Sequence, residues 1–128
     1  MNQSKVGYID DIEKETLENE NFRKVLFTGP KMQLVVMTIM PGDDIGMEVH
    51  EDHDQFIRVE EGEAKVILNG EETMAEDDFA IIVPAGTEHN IVNISQNDPL
   101  KLYTLYAPPE HADGTIHATK ADAVHAEE

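Results

Sequence analysis

At 128 residues the chain has room for one buried core and not for two. Twenty-seven acidic residues against nine basic ones leave a formal charge of −18, which repels nucleic acid and anionic membrane surfaces. The absence of cysteine excludes a disulfide framework, a thiolate metal site and a cysteine nucleophile, so any metal must be held by nitrogen and oxygen.

The first 22 residues are polar, and only Ile9, Ile12 and Leu17 carry a helical spacing, which predicts a short helix or an arm. The start lacks a charged-then-apolar leader pattern, and no apolar run approaches the roughly 20 residues that span a bilayer. A cytoplasmic protein with neither a membrane nor a nucleic acid as partner is the expectation. From residue 22 the texture changes to short β-like runs cut by turn residues: KVLFTG, MQLVVMTIMPG, MEVH, QFIRVEEG, EAKVILNG, FAIIVPAG, HNIVNIS and LKLYTLYAPP. Runs of this length and punctuation predict an all-β sandwich or barrel over 23–108. Asn69-Gly70 marks a hairpin, since both residues tolerate positive φ. The run from Leu34 to Met40, with Met37 and Met40, reads as core. After Pro108-Pro109 apolar periodicity disappears, so 109–128 reads as a tail, laid on the barrel or partly disordered.

The segment EVHEDHDQF, 48–56, concentrates possible ligands. Side chains two apart on a strand share a face, so Glu48 and His50 point together, and Gln55 folds back beside them from the next strand, with Ile57 and Val59 continuing inward. His89, after a Pro-x-Gly turn, reaches the same region. Glu48, His50 and His89 make a set of two imidazoles and one carboxylate, suited to Fe(II) or Mn(II) with positions left open, and Gln55 adds a neutral carbonyl oxygen. His53, offset by an odd number from His50, falls with Glu51, Asp52 and Asp54 in a solvated turn. His111, His117 and His125 read as surface residues, although His111 follows closely enough on the Pro-Pro turn to lie over the mouth. Arg58 points away from Gln55, and no other basic residue near the motif strands, Lys65 included, has an inward register, so no inward cation is expected for a phosphate-bearing substrate. Tyr103 and Tyr106 lie on opposite faces, so one of them lines the pocket.

These residues resemble the cupin family. Its first motif, Gly-x5-His-x-His-x3–4-Glu-x6-Gly, is matched in spacing by Gly42, Glu48, His50, Gln55 and Gly62, and its second, Gly-x5-Pro-x-Gly-x2-His-x3-Asn, by Asp78, Pro84, Gly86, His89 and Asn93. Glu stands for the first His, Gln for the Glu, and Asp78 for a turn glycine. The single carboxylate is thereby moved rather than lost. The resemblance, strongest to small single-domain cupins labelled as mannose-6-phosphate isomerase-like, implies a jelly-roll barrel holding one divalent ion (Fe, Mn, Ni or Zn). It further implies a metalloenzyme of small-molecule chemistry, either a dioxygenase-like oxidoreductase or a sugar or sugar-phosphate isomerase. A non-catalytic cupin that binds or senses a small molecule is the alternative. Family members commonly pair, and the arm YIDDIEKETL is a candidate for crossing to the partner of a homodimer.

Overall fold

The structure, a computed structural model, describes residues 4–126. In chain order its elements are α1 (Ile12–Glu18), β1 (Arg23–Thr28), β2 (Gln33–Ile39), β3 (Asp54–Glu61), β4 (Glu63–Leu68), β5 (Glu71–Glu76), β6 (Ala80–Val83), β7 (His89–Asn93), β8 (Leu100–Ala107), β9 (Ile116–His117) and α2 (Lys120–Ala126). The strands form a six-stranded antiparallel sheet, β6-β3-β8-β2-β1-β9, and a three-stranded one, β5-β4-β7. This is the jelly-roll arrangement, two sheets around a shared core, although the sheets do not close into a continuous barrel.

The inward face of the large sheet changes character along its length. Paired rows run from Ile39 and Leu100, through Met37, Leu102 and Val59, to Val35, Thr104, Ile57 and Ile81, and finally to Gln33, Tyr106, Gln55 and Val83. All of these side chains are buried. One end of the sandwich is therefore a closed hydrocarbon core, and the other is a buried polar layer that must find hydrogen-bond partners. The site sits at that polar end.

Several elements differ from expectation for physical reasons. β5 shows no alternation because it is an outer edge strand with Ala75 alone buried, so no apolar period marks it. The MEVH run joins no ladder as a full strand; it meets β7 through the single bridge Glu48 to His89, and Asp44 before it makes another to Val92. Met40 lies beyond the end of β2 and is 61% exposed, so it is not core, whereas Met37 is fully buried. α1 is real, one short helix whose first turn is capped by Asp11, its carboxylate accepting from Lys14 N.

The segment after β8 is laid along the barrel. Gln33, fully buried, accepts from the Glu110 and His111 amides through Oε1 and donates from Nε2 to the His111 carbonyl. β9 then pairs with β1, Arg23 opposite His117, and Lys120 of α2 reaches the carboxylates of Asp43 and Asp44. One glutamine thus pins the strap 109–111 across the polar end.

Candidate metal centre

Glu48 and His89 stand 41 positions apart, yet each donates its amide to the other's carbonyl, at 2.9 and 2.8 Å. Such a directly opposed pair projects both side chains to one face from Cα atoms about 5.5 Å apart. His50 is two residues on, its carbonyl accepting from Gly86 N at 2.9 Å. As a result, one ligand atom from each of Glu48, His50 and His89 lies within 4.8 Å of the others.

Each imidazole is oriented. His89 is buried, and its Nδ1 lies 2.9 Å from the Thr87 carbonyl; a carbonyl only accepts, so Nδ1 carries the proton and Nε2 is left with a free lone pair. His50 Nε2 lies 2.9 Å from Glu48 Oε2, and its Nδ1 lies 3.4 Å from Glu110 Oε2. Burial alone would raise the Glu48 pKa, but the His50 hydrogen bond and the charges of His50 and Arg23 outweigh it and hold the carboxylate below its usual range. The same hydrogen bond raises His50 against the opposing effect of burial. A proton shared between these two side chains thus occupies the place where both would meet a cation.

Gln55 is buried in the polar row beside Tyr106. Its Nε2 donates to Thr104 Oγ1 at 3.0 Å, which fixes which way the amide faces, and its Oε1 is buried with no hydrogen-bond partner. Opposite Tyr106, whose ring packs on His50, this orphaned carbonyl oxygen has a lone pair of the kind that a divalent cation of borderline hardness would satisfy. The donor set fits the ion that the sequence reading expects. Tyr106 is the tyrosine that lines the site, 2% exposed and edge-on to His50 with ring centroids 5.8 Å apart. Its partner in alternation, Tyr103, packs on Phe56 outside.

His53 needs correction in its surroundings. It is half-buried rather than solvated, donating from Nε2 to the Pro109 carbonyl at 3.1 Å and lying 3.4 Å from Glu110 Oε2. It holds the strap and does not belong to the three-residue cluster. Of the tail histidines, His125 is exposed as expected, whereas His111 and His117 depart from the surface reading. His111 stacks edge-on to Tyr106 at 5.2 Å with Nε2 buried and unpartnered, and burial lowers its pKa to about 4. His117 faces Arg23, Nδ1 to Nη1, at 3.4 Å.

Arg23 is the residue that sequence reasoning missed. The expectation of no inward cation fails because β1 begins one residue earlier than the apolar run suggests, and Arg23, two before the inward Val25, is 3% exposed. Its charge acts on Glu48, His50, Tyr106 and His111. Parity counted back from Val25 could have found it. Arg58 does point away, to Asp78 and Glu60.

Comparison with known proteins agrees with this architecture. The family model described as the cupin domain matches residues 35–106. The uncharacterized protein YrkC of Bacillus subtilis is 46% identical, over 94% of this chain and 68% of its own length. The crystal structure of BH2720 from Bacillus halodurans is 44% identical, superposes with a TM-score of 0.92, and is matched over 97% of this chain and 98% of that one. KdgF from Halomonas sp. is 26% identical with a TM-score of 0.64, over 69% and 78% of the two chains.

Proposed function

The chain belongs to the cupin family, and from that premise we propose that it is a small-molecule metalloenzyme with a single divalent ion held by Glu48, His50 and His89 and completed by the Gln55 carbonyl. The observation that carries this reading is the convergence of the three ligand atoms within 4.8 Å, with the His89 tautomer already set by Thr87. When bound, such an ion supplies Lewis acidity and a template for substrate. Iron, manganese, nickel and zinc all suit mixed nitrogen and oxygen donors. No helix of the described residues is long and apolar enough to cross a membrane; the reading takes the protein as cytoplasmic.

The chain's own residues provide the rest. Apolar rows below the site exclude water from the reacting end, Tyr106 stays protonated because burial raises its pKa, and the strap with Glu110 and His111 covers the mouth. Oxidoreductase chemistry is the reading preferred, with isomerisation as its second version and a non-catalytic binding or sensing role as the alternative. A homodimer is part of the same proposal, as is common in the family.

Elemental analysis of untagged protein purified without chelator tests it. About one divalent ion per chain is expected, lost in His50→Ala and His89→Ala; protein that stays metal-free after incubation with all four ions contradicts the reading. Oxygen uptake with candidate substrates then separates the two enzymatic versions, and ligand binding by metal-free protein favours the alternative.

A further inference from the structure

Arg23 is anomalous in its chemistry. The chain carries 27 acidic side chains against nine basic ones, and its other engaged cations find oxygen partners: Arg58 pairs with Glu60 and Asp78, and Lys120 with Asp43 and Asp44. Arg23 is the most buried of these cations, yet among the described residues it has no carboxylate within ion-pair distance. Its hydrogen bond runs from Nη1 to His117, its guanidinium carbon lies 5.3 Å from the centre of the Phe22 ring, and its Nε is buried without a partner. A buried guanidinium left this way costs free energy that folding does not recover from within the chain.

The unused donor edge is chemically specific. With Nη1 turned to His117, Nε and Nη2 remain, the parallel pair of N–H groups that matches two oxygens of a carboxylate or phosphate. Two other orphaned atoms lie around Tyr106, on which the Arg23 charge also acts: Gln55 Oε1, opposite it in the strand register, and His111 Nε2, on the ring stacked against it. Together they offer donors on the Arg23 side and an acceptor at Gln55. A divalent ion held with Glu48, beside the Arg23 guanidinium and the Glu110 carboxylate, leaves the site with a net positive charge in a strongly negative molecule, which concentrates small anions there.

We propose that the molecule this site takes is a small organic acid or phosphate ester whose oxyanion seats on the Nε edge of Arg23 while its other polar end faces the Glu48, His50 and His89 cluster. This rests on the metal reading only for the second contact. The oxyanion contact belongs to Arg23 alone. Arg23 is thus a binding and specificity-determining residue, and neutral analogues of the same shape are rejected.

Calorimetric titration of pyruvate, succinate and inorganic phosphate into zinc-loaded and metal-free wild-type protein, R23Q and R23K tests it, with hydroxyacetone as the neutral counterpart of pyruvate. At least one anion is expected to bind, about tenfold or more weaker in R23Q and partly restored in R23K, with hydroxyacetone silent. Whichever of the carboxylates and phosphate binds more tightly identifies the oxyanion. Unchanged affinity in an R23Q that melts like wild type, or no binding of any of the three anions in either form, overturns the proposal. Arg23-dependent binding by protein that takes up no metal preserves it and sinks the metal reading instead; zinc uptake at one per chain without Arg23 dependence does the reverse.

Discussion

Glu48 and His50 hold one proton between them across 2.9 Å, and a metal ion has to displace it. Because that hydrogen bond raises the His50 pKa, the proton persists to higher pH than on a free imidazole, so affinity for zinc should climb as pH rises through the raised value and level off above it. Competition titrations across that range check this, and pH-independent affinity contradicts it. His111 acts in the opposite sense. Its pKa falls to about 4 from an ordinary 6.5, so between those values the unfolded chain binds a proton that the folded one refuses. Stability contributed by the neutral ring is full above pH 6.5 and drains away as pH falls towards 4. Melting temperature over that window should drop less in His111→Gln than in wild type; equal slopes would remove the burial argument. At this scale the inward set Glu48, His50, Gln55 and His89 was legible, because alternation and motif spacing are local rules. Arg23 and Glu110 were not: one sits before the apolar run that marks its strand, and the other reaches His50 only through a strap pinned by Gln33.

Between elements, tight turns built on glycine help to set the register of the sheets. Gly62 joins β3 to β4 at a φ of 128°, and a Cβ there would meet Leu100 Cα at 3.1 Å and the Pro99 carbonyl at 3.2 Å. Gly62→Ala therefore combines a disfavoured backbone with contacts that cannot relax, and should cost about 1–3 kcal/mol. Gly70 also has positive φ, but nothing lies within 4 Å of its Cβ position, so Gly70→Ala should cost about 1 kcal/mol or less. Urea melts of the two variants give the comparison; equal losses would show that the backbone term alone matters at Gly62. Strands with one buried face, such as β3 and β8, were readable from their alternation. β5, β9 and α2 were hidden, because an exposed edge, a two-residue pairing and a short polar helix leave no hydrophobic period to read.

Across the whole molecule, a net charge of −18 repels itself in the compact state. Salt shortens the Debye length from about 10 Å at 0.1 M to about 3 Å at 1 M, so the melting temperature should rise with sodium chloride over that range, and a fall would place attractive ion pairs above the repulsion. Light scattering should give about twice the chain mass of 14.3 kDa if the homodimer forms; a monomer mass removes it from the proposal. An all-β sandwich or barrel was legible at this scale from the number and spacing of short runs, and the jelly roll from the resemblance to cupins. What it encloses depends on contacts between residues far apart in sequence, such as the exchange of hydrogen bonds between Glu48 and His89.

The central claim concerns where an ion sits. Anomalous diffraction from crystals of metal-loaded protein, collected at the edge of the bound element, should give one peak per chain at bonding distance from Glu48, the Nε2 atoms of His50 and His89, and Gln55 Oε1. A peak on His53 and Glu110, or no peak between Glu48, His50 and His89, would contradict it.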